Sequence, residues 1–146
     1  MTSLYDTDFY AWANEPASLL RAGKLSNADI QNIAEEIESM GKSEKRELVS
    51  RLTIPLLHLL KWQFQPGLRG NSWRYTIKVQ RRDLARHLDD NPSLVARLPA
   101  LLADSYTSAV LSAAGETGLP EATLPEICPW SYQQIADRDF WPDAPS

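Results

Sequence analysis

Residues 52–64, LTIPLLHLLKWQF, are apolar almost all the way round a helix, broken only by Thr53, His58, Lys61 and Gln63. An isolated surface helix shows one apolar stripe; a helix apolar on nearly every side must be surrounded by other elements. The run is shorter than the roughly 18–20 residues that a membrane span requires, and no longer one occurs. The segment therefore predicts a central helix of a bundle, and the flanking sequence must supply the helices that cover it.

The flanks carry helical periodicity, and strand alternation is scarce. Asp6 is a suitable N-cap for a first helix, TDFYAWANEPASLLRA, closed by Gly23, with Pro16 expected to kink it. Ser26 and Asp29 form a capping-box pattern for a second helix. Its stripe Ile30, Ile33, Ala34, Ile37 and Met40 predicts a core-facing side, and Gly41 predicts a stop. Ser43 opens the third helix, which contains the central run and a bend at Pro55. QPGLRGN is a turn, and Asn71 or Ser72 caps a fourth helix with the stripe Trp73, Ile77, Leu84 and Leu88. Gln80 and Arg81 fall on or beside that stripe. Asn91-Pro92 starts a fifth helix that reaches about Ala114, bends at Pro99 and ends at Gly115 or Gly118. A proline-rich tail begins near residue 119, and Ser131 with Gln134 boxes a short last helix. The expectation is an all-α protein, a single-domain antiparallel bundle over residues 1–146 with about five main helices and a short C-terminal one.

The chain of 146 residues is 43% hydrophobic and 23% charged, a balance that disfavours disorder. One cysteine, Cys128, excludes an internal disulfide and a cysteine-rich zinc site. The start, MTSLYDTDFY, lacks the basic and apolar regions of a signal peptide. These readings place the protein in the cytoplasm.

Net charge is −4, but the charges are unevenly placed. Residues 42–86 hold 11 Lys/Arg against 3 Asp/Glu, while residues 1–41 hold 2 against 7 and residues 87–146 hold 2 against 9. Arg74, Lys78, Arg82 and Arg86 recur every four residues and line one helical face, opposite the Trp73–Leu88 stripe. Such a row suits an anionic partner, and with Tyr75 among its members it suits nucleic acid, although no helix-turn-helix or RNA-binding signature accompanies it. A solvated face, or one covered by the protein's own acids, is the simpler explanation of the row.

Two further constellations can carry chemistry. His58 and Lys61 share a helical face inside the apolar run, and Glu36 is a carboxylate within the acidic second helix. Together they could form a Glu/His/Lys centre with His58 as acid or base, or a satisfied polar cluster that sets helix register. Arg69, between Trp62 and Trp73 and before a helix N-terminus, could hold a carboxylate or phosphate, or simply bond to a backbone carbonyl. His58 and His87 stand 29 positions apart with no H-E-x-x-H pattern, so no metal ligand set and no cofactor is expected.

The strings YDTDFYAWA, LLRAGKL, NIAEEIESMGKSEKREL, HLLKWQFQP, SWRYTI with QRRDL, NPSL, ETGLP and CPW occur in that order. As a set they resemble a bacterial family known as domain of unknown function number twenty-nine. The resemblance runs from residue 5 to about 130. It implies a compact all-helical bacterial protein and supplies no reaction and no catalytic residues; Pro16 and Pro55 depart from the family's usual helix formers. Three readings of function remain open. One is a non-catalytic interaction or regulatory module binding a protein or anionic partner through the basic face. Another is an enzyme acting on an anionic or phosphorylated substrate through Glu36, His58, Lys61 and Arg69. The third is weak nucleic-acid binding without sequence preference.

Overall fold

A computed structural model describes residues 8–24 and 26–144. Every regular element in that range is a helix, as the periodicity predicts, and the protein is an all-α helical bundle. The helices are α1 (Phe9–Ala22), α2 (Asn27–Phe64), α3 (Asn71–Asp90), α4 (Leu98–Thr117) and α5 (Tyr132–Ala136), with 3-10 turns at Pro66–Leu68, Pro92–Arg97 and Glu121–Thr123. The chain forms two compact units, Met1–Ser43 and Glu44–Ser146, with the boundary inside α2.

In the first unit, Asp8 caps α1 by accepting a hydrogen bond from the Ala11 amide at 3.0 Å. Asp6, the residue expected there, lies outside the described range. Gly23 ends α1 at φ 69, a left-handed conformation that suits glycine. Ser26 caps α2 by accepting from the Asp29 amide at 3.3 Å, and its hydroxyl donates to the Asp29 carboxylate at 3.0 Å, in place of the backbone bond of the expected box. The stop expected at Gly41 is absent, and α2 runs on through it. A mid-helix glycine costs only about 1 kcal/mol, which the good helix formers on both sides offset. The stripe read as core-facing is largely exposed, Ile37 at 63% and Met40 at 67%.

The second unit holds the core. Leu48, Leu52, Leu56, Leu59 and Leu60 of α2 are fully buried, with Pro55 among them. They pack with Ile77, Leu84 and Leu88 of α3, with Leu98, Leu101, Tyr106, Ala109 and Ala113 of α4, and with Leu124, Trp130 and Ile135. The apolar run therefore lies at the centre of its neighbours, as its composition demands. Gly70 and not Asn71 or Ser72 precedes α3. Pro99 falls in the first turn of α4, where a missing amide is harmless, so it starts a helix and bends none. Gly118, at φ 77, ends α4. The Ser131–Gln134 box opens α5, the two residues exchanging bonds of 2.9 and 3.2 Å.

Candidate anion-binding site

The basic row lies on α3, and its four members are exposed. Each also contacts a different neighbour. Arg74 stands over the Trp62 ring at 5.9 Å. Lys78 stands over the Tyr75 ring at 5.3 Å. Arg82 makes a 3.4 Å contact with Asp83, a weak pair given its exposure. Arg86 borders an acidic hollow that also includes Asp83 and Asp90.

Between α3 and the segment after α5 lies a cavity of about 540 Å³. Lys78, Arg82, Arg81 and Arg138 line it with a single carboxylate, Asp139, and the small side chains of Ala85 and Ala136 leave it open. Arg81 is the anchor of this wall. It occupies a position on the Ile77–Leu84–Leu88 stripe and is only 2% exposed. Its Nε donates to the Ile135 carbonyl at 2.7 Å, and its Nη2 donates to the Phe140 carbonyl at 2.7 Å and more weakly to that of Gln134 at 3.5 Å. The guanidinium thus satisfies the Ile135 carbonyl, which the short helix α5 leaves open at its C-terminal end, and the Phe140 carbonyl beyond it; that of Gln134 also accepts from the Asp137 amide at 3.3 Å. Its plane also stands over Trp141 at 5.3 Å.

Two features make Arg81 unusual. No carboxylate forms an ion pair with it among the described residues, and its Nη1 is buried without a hydrogen-bond partner. Burial lowers its pKa, and the charge of Asp137 acts in the opposite sense. An arginine remains charged at neutral pH even so. The wall therefore contains a fixed, desolvated cation with unused donor capacity, beside three exposed cations.

Arg69 is held differently. Its Nε donates to the Trp62 carbonyl at 2.6 Å, and its Nη2 to that of Pro142 at 3.3 Å. It also stacks on Trp62, 5.1 Å from the ring centroid, and Trp62 in turn packs on Trp141 at 4.6 Å. Arg69 fastens the C-terminal segment to the end of α2.

Lys61 reaches Glu116 on α4 at 2.9 Å and lies 5.0 Å from the centroid of the Trp73 ring. His58 Nδ1 lies 2.9 Å from the Ile54 carbonyl one turn back, to which it donates. Burial depresses the His58 pKa, with the Lys61 charge adding to that effect and the Ile54 bond and Glu116 opposing it. Glu36 belongs to the first unit, whereas His58 and Lys61 belong to the second. Cys128 Sγ donates to the Trp130 carbonyl, and burial pushes the thiol pKa up, away from the reactive thiolate.

Helical spacing puts Lys78 and Arg82 in a binding face, but it does not reveal Arg81 and Arg138 as members of the same wall. Arg81 has a visible signal, a cation on an apolar stripe. Arg138 has only its rarity as one of two cations after residue 86.

The family described as Domain of unknown function DUF29 matches residues 4–141, and the chain belongs to it. No curated protein and no solved structure matches the chain.

Proposed function

Starting from membership of a family without an assigned activity, we propose that the protein is a non-catalytic binding module for an anionic group on a protein partner. The group enters the cavity between α3 and the C-terminal segment, where Lys78, Arg82 and Arg138 meet it beside Arg81. The observation that carries this reading is the buried Arg81 guanidinium, which has no carboxylate partner and one unused terminal nitrogen. That nitrogen is itself sealed from solvent, so an entering group first meets the exposed Lys78, Arg82 and Arg138. The engagement of Lys61 by Glu116 supports a binding role over a hydrolytic one. A single cysteine, which allows no disulfide within the chain, is in keeping with a bacterial cytoplasmic setting.

The test is calorimetric titration of a Glu-rich peptide into the full chain and into a Lys78→Glu/Arg82→Glu/Arg138→Glu variant. The wild type should bind, with affinity falling as salt rises, and the variant should not. Equal binding by both proteins, or none by the wild type, removes the reading. A labelled single-stranded RNA and DNA at about 50 and about 200 mM salt completes the set. If only the nucleic acids bind, with a steep salt slope, the partner is nucleic acid and not protein.

A further inference from the structure

A second cluster lies in the same unit, apart from the basic cavity, where the second half of α2 meets the C-terminal half of α3. Glu44 and Glu47 are three residues apart in α2 and share a face. His87 comes from α3. One ligating atom from each of the three lies within 4.8 Å of the others. His87 Nε2 is 3.7 Å from Glu44 Oε2, and His87 Nδ1 is 3.8 Å from Glu47 Oε2.

His87 is only 7% exposed, so its ring is fixed. Its Nε2 lies 3.1 Å from the backbone carbonyl of Glu44 and donates to it. In the neutral imidazole the lone pair is then on Nδ1, on the Glu47 side, where no described residue donates a hydrogen bond to it. An imidazole tethered through one N–H to a carbonyl, with the other nitrogen bare, is the arrangement of a metal-bound histidine. Glu47 is oriented in the same manner. Arg51 holds its Oε1 through Nη2 at 2.7 Å and Nε at 3.0 Å, which leaves Oε2 for another partner.

The cluster opens into a hollow of about 540 Å³, where Asp83 and Asp90 add two further carboxylates against Arg51 and Arg86. The surroundings thus carry an excess of negative charge. Metal bonds of about 2.0–2.2 Å put neighbouring donors roughly 3.3 Å apart in a tetrahedral site. The Glu47 separation needs to close by about half an ångström, and that of Glu44, which stands nearer Nε2, by up to about 1.5 Å; half-exposed glutamates achieve this by rotating against a fixed ring. Nothing in the linear sequence points to this set, since His87 is far in sequence from both glutamates and no ligand motif joins them.

We propose that Glu44, Glu47 and His87 bind a divalent first-row transition ion, with His87 Nδ1, Glu47 Oε2 and a Glu44 carboxylate oxygen as ligands and water completing the sphere. The imidazole favours Zn²⁺ or Co²⁺ over Mn²⁺, Mg²⁺ and Ca²⁺. The alternative occupant of the same geometry is a proton, with imidazolium bridging two carboxylates. Metal titration separates the two.

Full-length protein freed of metal by chelation is titrated with Co²⁺, followed by visible absorption, and with Zn²⁺, followed by calorimetry. One equivalent should bind, and Glu44→Gln, Glu47→Gln and His87→Gln should each weaken binding by at least about tenfold, while Glu126→Gln on the distant tail should not. The two glutamate variants alter half-exposed side chains, so loss of folding does not explain their effect; unchanged helical circular dichroism verifies this. Absence of binding by the wild type at millimolar metal overturns the proposal, as does binding that survives Glu44→Gln and Glu47→Gln.

Discussion

Arg81 Nε donates to the carbonyl oxygen of Ile135 at 2.7 Å across 54 positions of sequence. This contact joins the apolar face of α3 to the last helix and places a buried cation at the rim of a basic cavity. Removing the guanidinium leaves the carbonyls of Ile135 and Phe140 without their donor, while that of Gln134 keeps the Asp137 amide. Each of these two orphaned carbonyls costs about 1–3 kcal/mol, so Arg81→Met is expected to lose roughly 2–6 kcal/mol in all. Arg81→Lys should fall in between, since one ammonium cannot reproduce the planar fork. Urea denaturation measures the loss, and limited proteolysis should show the C-terminal segment cut first. A change under about 0.5 kcal/mol would contradict the structural role of this residue.

The continuity of α2 makes an opposite prediction for two glycines. Gly41 lies within a helix, and a Cβ there meets nothing within 4 Å, so Gly41→Ala should stabilise by about 0.5–1 kcal/mol. Gly23 also has open space, but its φ of 69 is left-handed. Gly23→Ala should destabilise by about 1–2 kcal/mol. Thermal melts of both variants check the signs. If Gly41→Ala also destabilises, Gly41 is a helix stop after all.

Burial holds the His58 pKa below its usual 6.5. The unfolded chain therefore takes up this proton more readily than the folded one, and protonation favours unfolding. This group's contribution is at its full value above pH 6.5 and is lost as pH falls from there toward the lowered folded pKa. Acidification from neutral pH should destabilise the wild type more than His58→Gln. Other titrating groups are shared, so the difference between the two stability-against-pH curves reports His58. Parallel curves would show that the ring is not protected from protonation.

Lys61 is the less exposed partner of its pair, at 14%, while Glu116 is half open. Glu116→Gln removes the charge from an ion pair that water partly screens, and the Trp73 ring still faces the ammonium. The expected loss is about 0.5–1 kcal/mol, shrinking in high salt. A double-mutant cycle with Lys61→Met measures the coupling. A coupling above about 2 kcal/mol would mark a buried pair of a different kind.

The helices and most of their ends are local matters, and they are legible along the chain. Gly23, the Ser26 cap on Asp29 and the Ser131–Gln134 box each act within three or four residues, the range over which a helix forms its own hydrogen bonds. The apolar run of α2 and the Ile77–Leu84–Leu88 stripe likewise declare which sides are buried. Gly41 misleads because a glycine permits a stop without requiring one, and the helix formers downstream of it carry α2 onward.

An all-helical chain, a buried central run and a row of cations on α3 can thus be read from residue order alone. The partners of those cations depend on the folded bundle. Folding sets Arg81 against carbonyls of the last helix, brings Arg138 to the wall of Lys78 and Arg82, and carries His87 to Glu44 and Glu47. Helical hydrogen bonds span four residues, so a short window contains both ends of each. Contacts across forty or more are set by how side chains fill a shared core, which no short stretch of sequence contains.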